Sequence, residues 1–140
     1  MNYRINSNKK EEIRVELMEA IKGRRSIRKY KPDPVPEDTL RKVFEGMRWA
    51  PSWANTQCWE VIVVKDPKVK SEILRAVPET NRANSAMKEA PMILVLCGKK
   101  AVPGYSEGKP ATVRGDWLMF DTGLAMQNLC LQPMPLVLVR

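Results

Sequence analysis

Between Lys22 and Lys31 the chain reads Lys-Gly-Arg-Arg-Ser-Ile-Arg-Lys-Tyr-Lys, with six cations and no acid. Arg24, Arg25 and Arg28 are the guanidinium groups of this run, and Ser26 stands among them. Guanidinium forks match phosphate oxygens bidentately, and a hydroxyl with loop amides fills the remaining acceptors, so this composition suits a phosphate cradle without a P-loop. The same residues also suit a plainer role, because cations are favoured at a helix C-terminus and a charge run is commonly a solvated face. A second polar cluster, from Ala50 to Trp59, contains Pro51, Ser52, Asn55 and Gln57. Asn and Gln each carry donors and an acceptor, the mixture that a flat heterocycle with alternating carbonyls and N–H groups requires. Ser52, Asn55 and Gln57 equally suit capping a helix and closing a turn. For Trp59, core packing is expected.

Absences narrow the chemistry. There is no His, which excludes a Ser-His or Cys-His nucleophile pair, a His-ligated zinc and histidine acid–base catalysis. Cys58, Cys97 and Cys130 are too widely spaced for a C-x-x-C clip and odd in number, so neither a disulfide framework nor a structural zinc or other metal site is expected. Neither the P-loop pattern nor the Rossmann glycine fingerprint occurs. The 24 Lys and Arg against 16 Asp and Glu give a net charge of +8. That charge prompts a reading as a basic nucleic-acid-binding module, but acids intersperse both leading helices and no binding motif is present, so no nucleic-acid partner is expected. The longest apolar runs, Met92 to Cys97 and Leu136 to Val139, fall far short of the roughly 20 residues a membrane helix needs, and the N-terminus lacks the apolar region of a signal peptide. A cytoplasmic protein without a membrane partner is expected. A chain of 140 residues that is 44% hydrophobic and 29% charged fits one globular domain with a core.

The elements that must position the two clusters follow from periodicity. Ile13, Leu17, Met18 and Ile21 predict one face of a helix over residues 11 to 22, with Gly23 as its stop. Beyond the prolines at 32, 34 and 36, Leu40, Val43, Phe44 and Met47 predict a second helix, opened by Glu37 and Asp38 and ended by Pro51. Val61 to Val64 reads as a buried strand, and a helix through Val69, Ile73, Leu74 and Val77 follows it. Pro91 to Gly98 reads as a second buried strand, and Lys99 to Val113 as a loop rich in Gly, Pro and Lys. From Gly115 to Leu131 the pattern is a broadly apolar helix carrying Trp117, Phe120, Leu124, Ala125 and Leu129, which implies burial on several sides, in a core or a subunit interface. Helices thus cover a sheet, in an α/β or α+β arrangement.

Taken in order, R-R-S-I-R-K-Y, the A-P-S-x-x-N-x-Q-x-W stretch running into E-V-I-V-V, E-A-P-M-I-L-V-L and D-x-G-L-A-M-Q-N-L make the chain resemble the nitroreductase family of flavin enzymes, from about Glu12 to Leu131. The resemblance implies an α+β fold, a three-layer α/β/α sandwich forming one domain over residues 1–140. It further implies an intertwined homodimer with FMN at the interface. It assigns Arg24, Arg25, Ser26 and Arg28 to the FMN phosphate, ribityl chain and pyrimidine edge. It places Pro51, Ser52 and Asn55, with Gln57, in a loop that reaches the flavin bound mainly by the partner subunit. Asn84, ahead of Glu89-Ala90-Pro91, sits close to where the family often has an Asn near the flavin. The implied activity is ping-pong hydride transfer from NAD(P)H to a small-molecule acceptor such as a nitro compound or quinone. In that scheme the flavin carries the chemistry, and no catalytic acid or base is expected from the protein.

Residues 132–140 depart from the family pattern. One choice of codons for Cys130 to Arg140, read from the last base of the Cys130 codon, spells Leu-Ala-Ala-His-Ala-Leu-Gly-Leu-Gly-Thr, a family-like helix end with its Gly-rich turn. The expectation is therefore a frameshifted or truncated nitroreductase lacking its C-terminal strand and tail, with an inactive or weakly flavin-binding remnant as the alternative function. The coding DNA decides between the frames.

Overall fold

The structure, a computed structural model, describes residues 16–132. Ile13 of the first helical pattern and the atypical tail from Pro133 onward lie outside the described residues. Helix α1 (Leu17–Gly23) starts where Glu16 Oε2 accepts the Met18 and Glu19 amides, and the Arg24 amide closes its last turn on the Ala20 carbonyl. Helix α2 (Glu37–Arg48) opens with two acids, where the helix dipole favours them, and buries Leu40, Val43 and Met47 on one stripe.

Strands β1 (Trp59–Val64) and β2 (Ile93–Gly98) pair antiparallel, from Trp59 opposite Gly98 to Val64 opposite Ile93. Between them run α3 (Pro67–Arg75) and α4 (Asn84–Glu89). Asp66 Oδ1 caps α3 by accepting the Lys68 and Val69 amides, and Pro67 occupies the first turn, where its missing N–H costs nothing. The Lys70 ammonium donates to the Ala90 carbonyl and ties α3 to the end of α4. Val77 falls beyond α3, and α4 is a helix that the sequence pattern did not predict, being too short to display a 3.6-residue period. The expected loop from Lys99 to Val113 contains a two-residue-stranded hairpin, β3 (Tyr105–Ser106) with β4 (Lys109–Pro110), turned through Glu107 and Gly108 at φ of 50° and 75°.

Helix α5 (Leu118–Leu131) begins later than Gly115 because Asp116 fixes its start: Oδ1 accepts the Leu118 amide at 2.8 Å and Oδ2 the Ala101 amide at 2.9 Å. It packs on α2 and on both strands of the β1–β2 sheet. At Gly98 its Leu118 and Thr122 side chains occupy the space a Cβ would need, so helix and strand backbone meet closely there. Asn128 Nδ2 donates to the Gly46 carbonyl at 3.1 Å across the α2–α5 contact. Met47, Ala50, Cys58, Trp59 and Ala125 form the core, with Val61, Leu96, Leu124 and Leu129 against it. Trp59 is thus a core residue, as expected.

The two buried-strand expectations are corrected, since every residue of β2 is only half-buried and β1 alternates. β1 is not buried on both faces: Trp59 and Val61 point into the core, whereas Glu60 is exposed and Ile62 is 55% exposed. That alternation is the mark of an antiparallel sheet with one covered face. α5 buries Asp121 and Ala125 and leaves Met119 83% and Phe120 58% exposed, so its own chain covers one side of this apolar helix. The expected α+β class is what the described residues form.

Candidate functional site

The cationic segment leaves α1 as extended backbone. Arg25 Nη1 donates to the Lys22 and Arg24 carbonyls, at 2.5 and 2.8 Å, and so satisfies the helix end in the plainer of its two roles. Arg28 Nη1 donates to the Ser26 carbonyl at 3.2 Å, and the Tyr30 hydroxyl to the Ile27 carbonyl at 3.1 Å. Arg24 is half-buried and its guanidinium makes no hydrogen bond among the described residues. None of Arg24, Arg25, Arg28, Lys29 and Lys31 forms an ion pair among the described residues, where the ion pairs lie at Glu45–Arg48, Glu37–Lys65, Glu72–Arg75 and Glu60–Lys99.

The second cluster is a bent loop between α2 and β1. Ser52 is extended, and a 3-10 turn over Trp53–Asn55 follows. Ala54, Asn55 and Gln57 have φ of 46°, 54° and 44°. Backbone in this left-handed region costs a residue with a side chain about 1–3 kcal/mol and persists only where neighbours over-determine it. Three contacts do so. Asp121 Oδ2, on α5, accepts the Trp53 amide at 3.0 Å. Ser52 Oγ accepts the Gln57 amide at 2.9 Å, and Gln57 Nε2 donates to the Arg48 carbonyl at 3.2 Å, capping α2. Ser52 and Gln57 are therefore engaged in closing the turn, while Pro51 and Asn55 are exposed and the Asn55 side chain makes no hydrogen bond among the described residues.

Asn84, the first residue of α4, donates from Nδ2 to the Pro78 carbonyl at 2.7 Å and secures the 78–84 turn. The structure joins Ser52, Gln57 and Arg48 in one hydrogen-bonded loop, but no hydrogen bond or ion pair among the described residues connects that loop to residues 24–28 or to Asn84. A shallow groove between α2 and β1, lined by Leu40, Phe44 and Val63 with Glu37, Arg41 and Lys65, includes none of the expected site residues.

Asp121 opens the D-x-G-L-A-M-Q-N-L stretch, but the sequence reading gives it no site role. It is 1% exposed, and its Oδ1 is buried without a hydrogen-bond partner among the described residues, as is Thr56 Oγ1 in the loop itself. The signal was present: Asp121 is the lone charged residue in the largely apolar Leu118–Leu131 segment. Burial pushes the neighbouring Cys58 thiol up from its ordinary pKa, and the Asp121 carboxylate adds to the effect. No cluster of metal-ligating side chains occurs among the described residues, and none of their helices is long and apolar enough to cross a membrane.

A model of the nitroreductase family matches residues 21–133. An NADH dehydrogenase of Thermus thermophilus is 47% identical over 73 residues, which is 52% of this chain and 34% of that protein. A nitroreductase family protein from Clostridium novyi superposes with a TM-score of 0.71 at 30% identity, over 84% of this chain and 63% of that one. A Desulfovibrio desulfuricans structure solved in complex with FMN superposes with a TM-score of 0.65 at 28% identity, over 88% of this chain and 64% of that one. The chain thus spans about a third of the curated relative and less than two thirds of each of these structures.

Proposed function

The chain belongs to the nitroreductase family, and from that membership we propose that it acts as an FMN-dependent oxidoreductase, passing hydride from NAD(P)H to nitro, quinone or related small-molecule acceptors. The observation that carries this reading is the cationic segment, which forms no ion pair among the described residues. The Arg24 guanidinium makes no hydrogen bond among the described residues, Arg28 gives one N–H to a carbonyl, and the Ser26 hydroxyl makes no hydrogen bond among the described residues. A donor set of this kind fits the phosphate of FMN, since among the described residues Arg25 and Arg28 each engage a single guanidinium nitrogen and Arg24 none.

Arg24, Arg25, Ser26 and Arg28 would hold the phosphate, the ribityl chain and the pyrimidine edge. A guanidinium at that edge favours the negative charge that develops there on reduction. Pro51 and Asn55, on the loop whose turn Ser52 and Gln57 close, would meet the flavin from the partner side, with Asn84 nearby. When bound, FMN supplies the hydride-accepting and hydride-donating chemistry, which accounts for a ping-pong cycle without a Rossmann fingerprint or a histidine. A homodimer is supported by the apolar side chains that one chain leaves open, Leu17, Met18 and Ile21 on α1 and Met119, Phe120 and Met126 on α5. Three free cysteines support the reducing cytoplasm.

The test is the visible absorption spectrum of the purified chain after incubation with FMN and desalting. Retained flavin that is lost in the Arg24→Ala/Arg28→Ala variant is the expected result. A colourless protein, or flavin retained equally by the variant, overturns the assignment of the cradle.

A further inference from the structure

Asp121 has a place in the architecture that points beyond core packing. It is the lone acid of α5, it is 1% exposed, and it spends Oδ2 on the amide of Trp53, 68 residues away in sequence. Carboxylates are seldom buried, because desolvation penalises the charge unless hydrogen bonds compensate it. The partner here is the first amide of a turn whose Ala54, Asn55 and Gln57 all sit at positive φ. The opposite end of that turn is held by Ser52 Oγ and by Gln57 Nε2, both short-range contacts within or beside the loop. Asp121 therefore provides the long-range side-chain hydrogen bond that fixes the start of the loop to α5, while Gln57 ties its end to α2.

We propose that Asp121 is a positioning residue that clamps the Ser52–Gln57 loop in its flavin-facing conformation, acting through the Trp53 amide. The proposal rests on the flavin reading given above. The carboxylate touches no substrate or cofactor; it sets where Asn55 stands. An apolar residue of similar size would fill the core as well, but would leave the Trp53 N–H without an acceptor and the strained turn tied at one end only. The essential chemistry is an acceptor oxygen at this place, and an amide oxygen serves as one, so the conservative Asp121→Asn variant is expected to rescue what Asp121→Ala loses.

The first measurement needs no flavin. Amide hydrogen exchange at Trp53 is expected to be slow in the unaltered chain and in Asp121→Asn and fast in Asp121→Ala, with exchange across α2 and the rest of α5 unchanged. The second is FMN affinity by fluorescence titration. Asp121→Ala is expected to weaken it about tenfold, the usual effect of losing one hydrogen bond to a charged acceptor, while Asp121→Asn stays within about threefold of the unaltered chain. Trp53→Pro and Trp53→Ala approach the same bond from the donor side and serve even where Asp121→Ala does not fold. Proline removes the N–H and is expected to weaken FMN binding, whereas alanine keeps the N–H and is expected to bind more tightly than proline. Unchanged Trp53 exchange in Asp121→Ala, equal FMN loss in Asp121→Asn and Asp121→Ala, or equal affinities of Trp53→Pro and Trp53→Ala would each overturn the clamp. If the unaltered chain binds no FMN, the functional reading fails, and the exchange measurement alone decides whether Asp121 holds the loop.

Discussion

Cys58 is a thiol enclosed by Met47, Ala50, Trp59 and Ala125, with a carboxylate nearby. Both surroundings disfavour the thiolate, burial more than charge, so the folded-state pKa lies above the ordinary value of 9.0. Below that value folded and unfolded chains both hold the proton, and stability is unaffected by this group. Above it the unfolded chain releases a proton that the folded chain retains, so stability falls as pH rises towards the folded value. Urea unfolding at neutral and alkaline pH is expected to show a smaller alkaline loss for Cys58→Ala than for the unaltered chain. Individual site residues were unevenly legible in the sequence. Ser52, Asn55 and Gln57 were visible because hydroxyl and amide side chains crowd a short stretch after a proline. Which of them closes the turn and which stays unengaged was not visible, since that depends on backbone angles that no spacing encodes. Asp121 was legible as the first residue of the D-x-G-L-A-M-Q-N-L stretch, but its role was not; its partner lies in a different cluster, and a contact over 68 residues leaves no local pattern.

Among the described residues, helices with a repeating stripe were read correctly in kind, and α2 and α5 closely in extent. α2 shows why: Leu40, Val43 and Met47 recur at helical spacing, and the same residues are buried. α4 and the β3–β4 hairpin escaped because six and two residues span too few periods to display a pattern. The strand residues of β1 were found, but their burial was overestimated, because a run of β-branched residues looks the same whether one face or both are covered. The contact of α5 with β2 turns on Gly98, where Leu118 and Thr122 fill the place of a Cβ. Gly98→Ala is expected to lower stability by roughly 1–3 kcal/mol, the usual cost of overpacking, measured as a shift of the denaturant midpoint at constant slope. A neutral Gly98→Ala would mean that α5 is free to move outward from the sheet.

The single chain leaves apolar surface that a lone domain ordinarily covers. Met119 and Phe120 on α5 lie in one sequence neighbourhood, and Met126 follows on the same helix. If these residues meet a second copy of the chain, Phe120→Lys places an unpaired charge in a hydrophobic contact and is expected to halve the sedimentation-derived mass at micromolar concentration. An unaltered chain that is already monomeric at such concentrations overturns the dimer. The overall α+β architecture was legible because alternating element types limit the ways in which helices can cover a sheet. The open face of α5 was not, since an apolar sequence does not record whether its own domain or a partner buries it.

The bond between Asp121 and Trp53 also has a direction in time. A ribosome adds roughly 5–20 residues per second and exposes the N-terminal part first, so α2 and the Ser52–Gln57 turn emerge seconds before α5. During that interval the turn has its short-range hydrogen bonds but lacks the acceptor 68 residues downstream. The Ser52–Gln57 loop is consequently shaped late in synthesis, and a nascent chain stalled before Asp121 would hold it without its tie to α5.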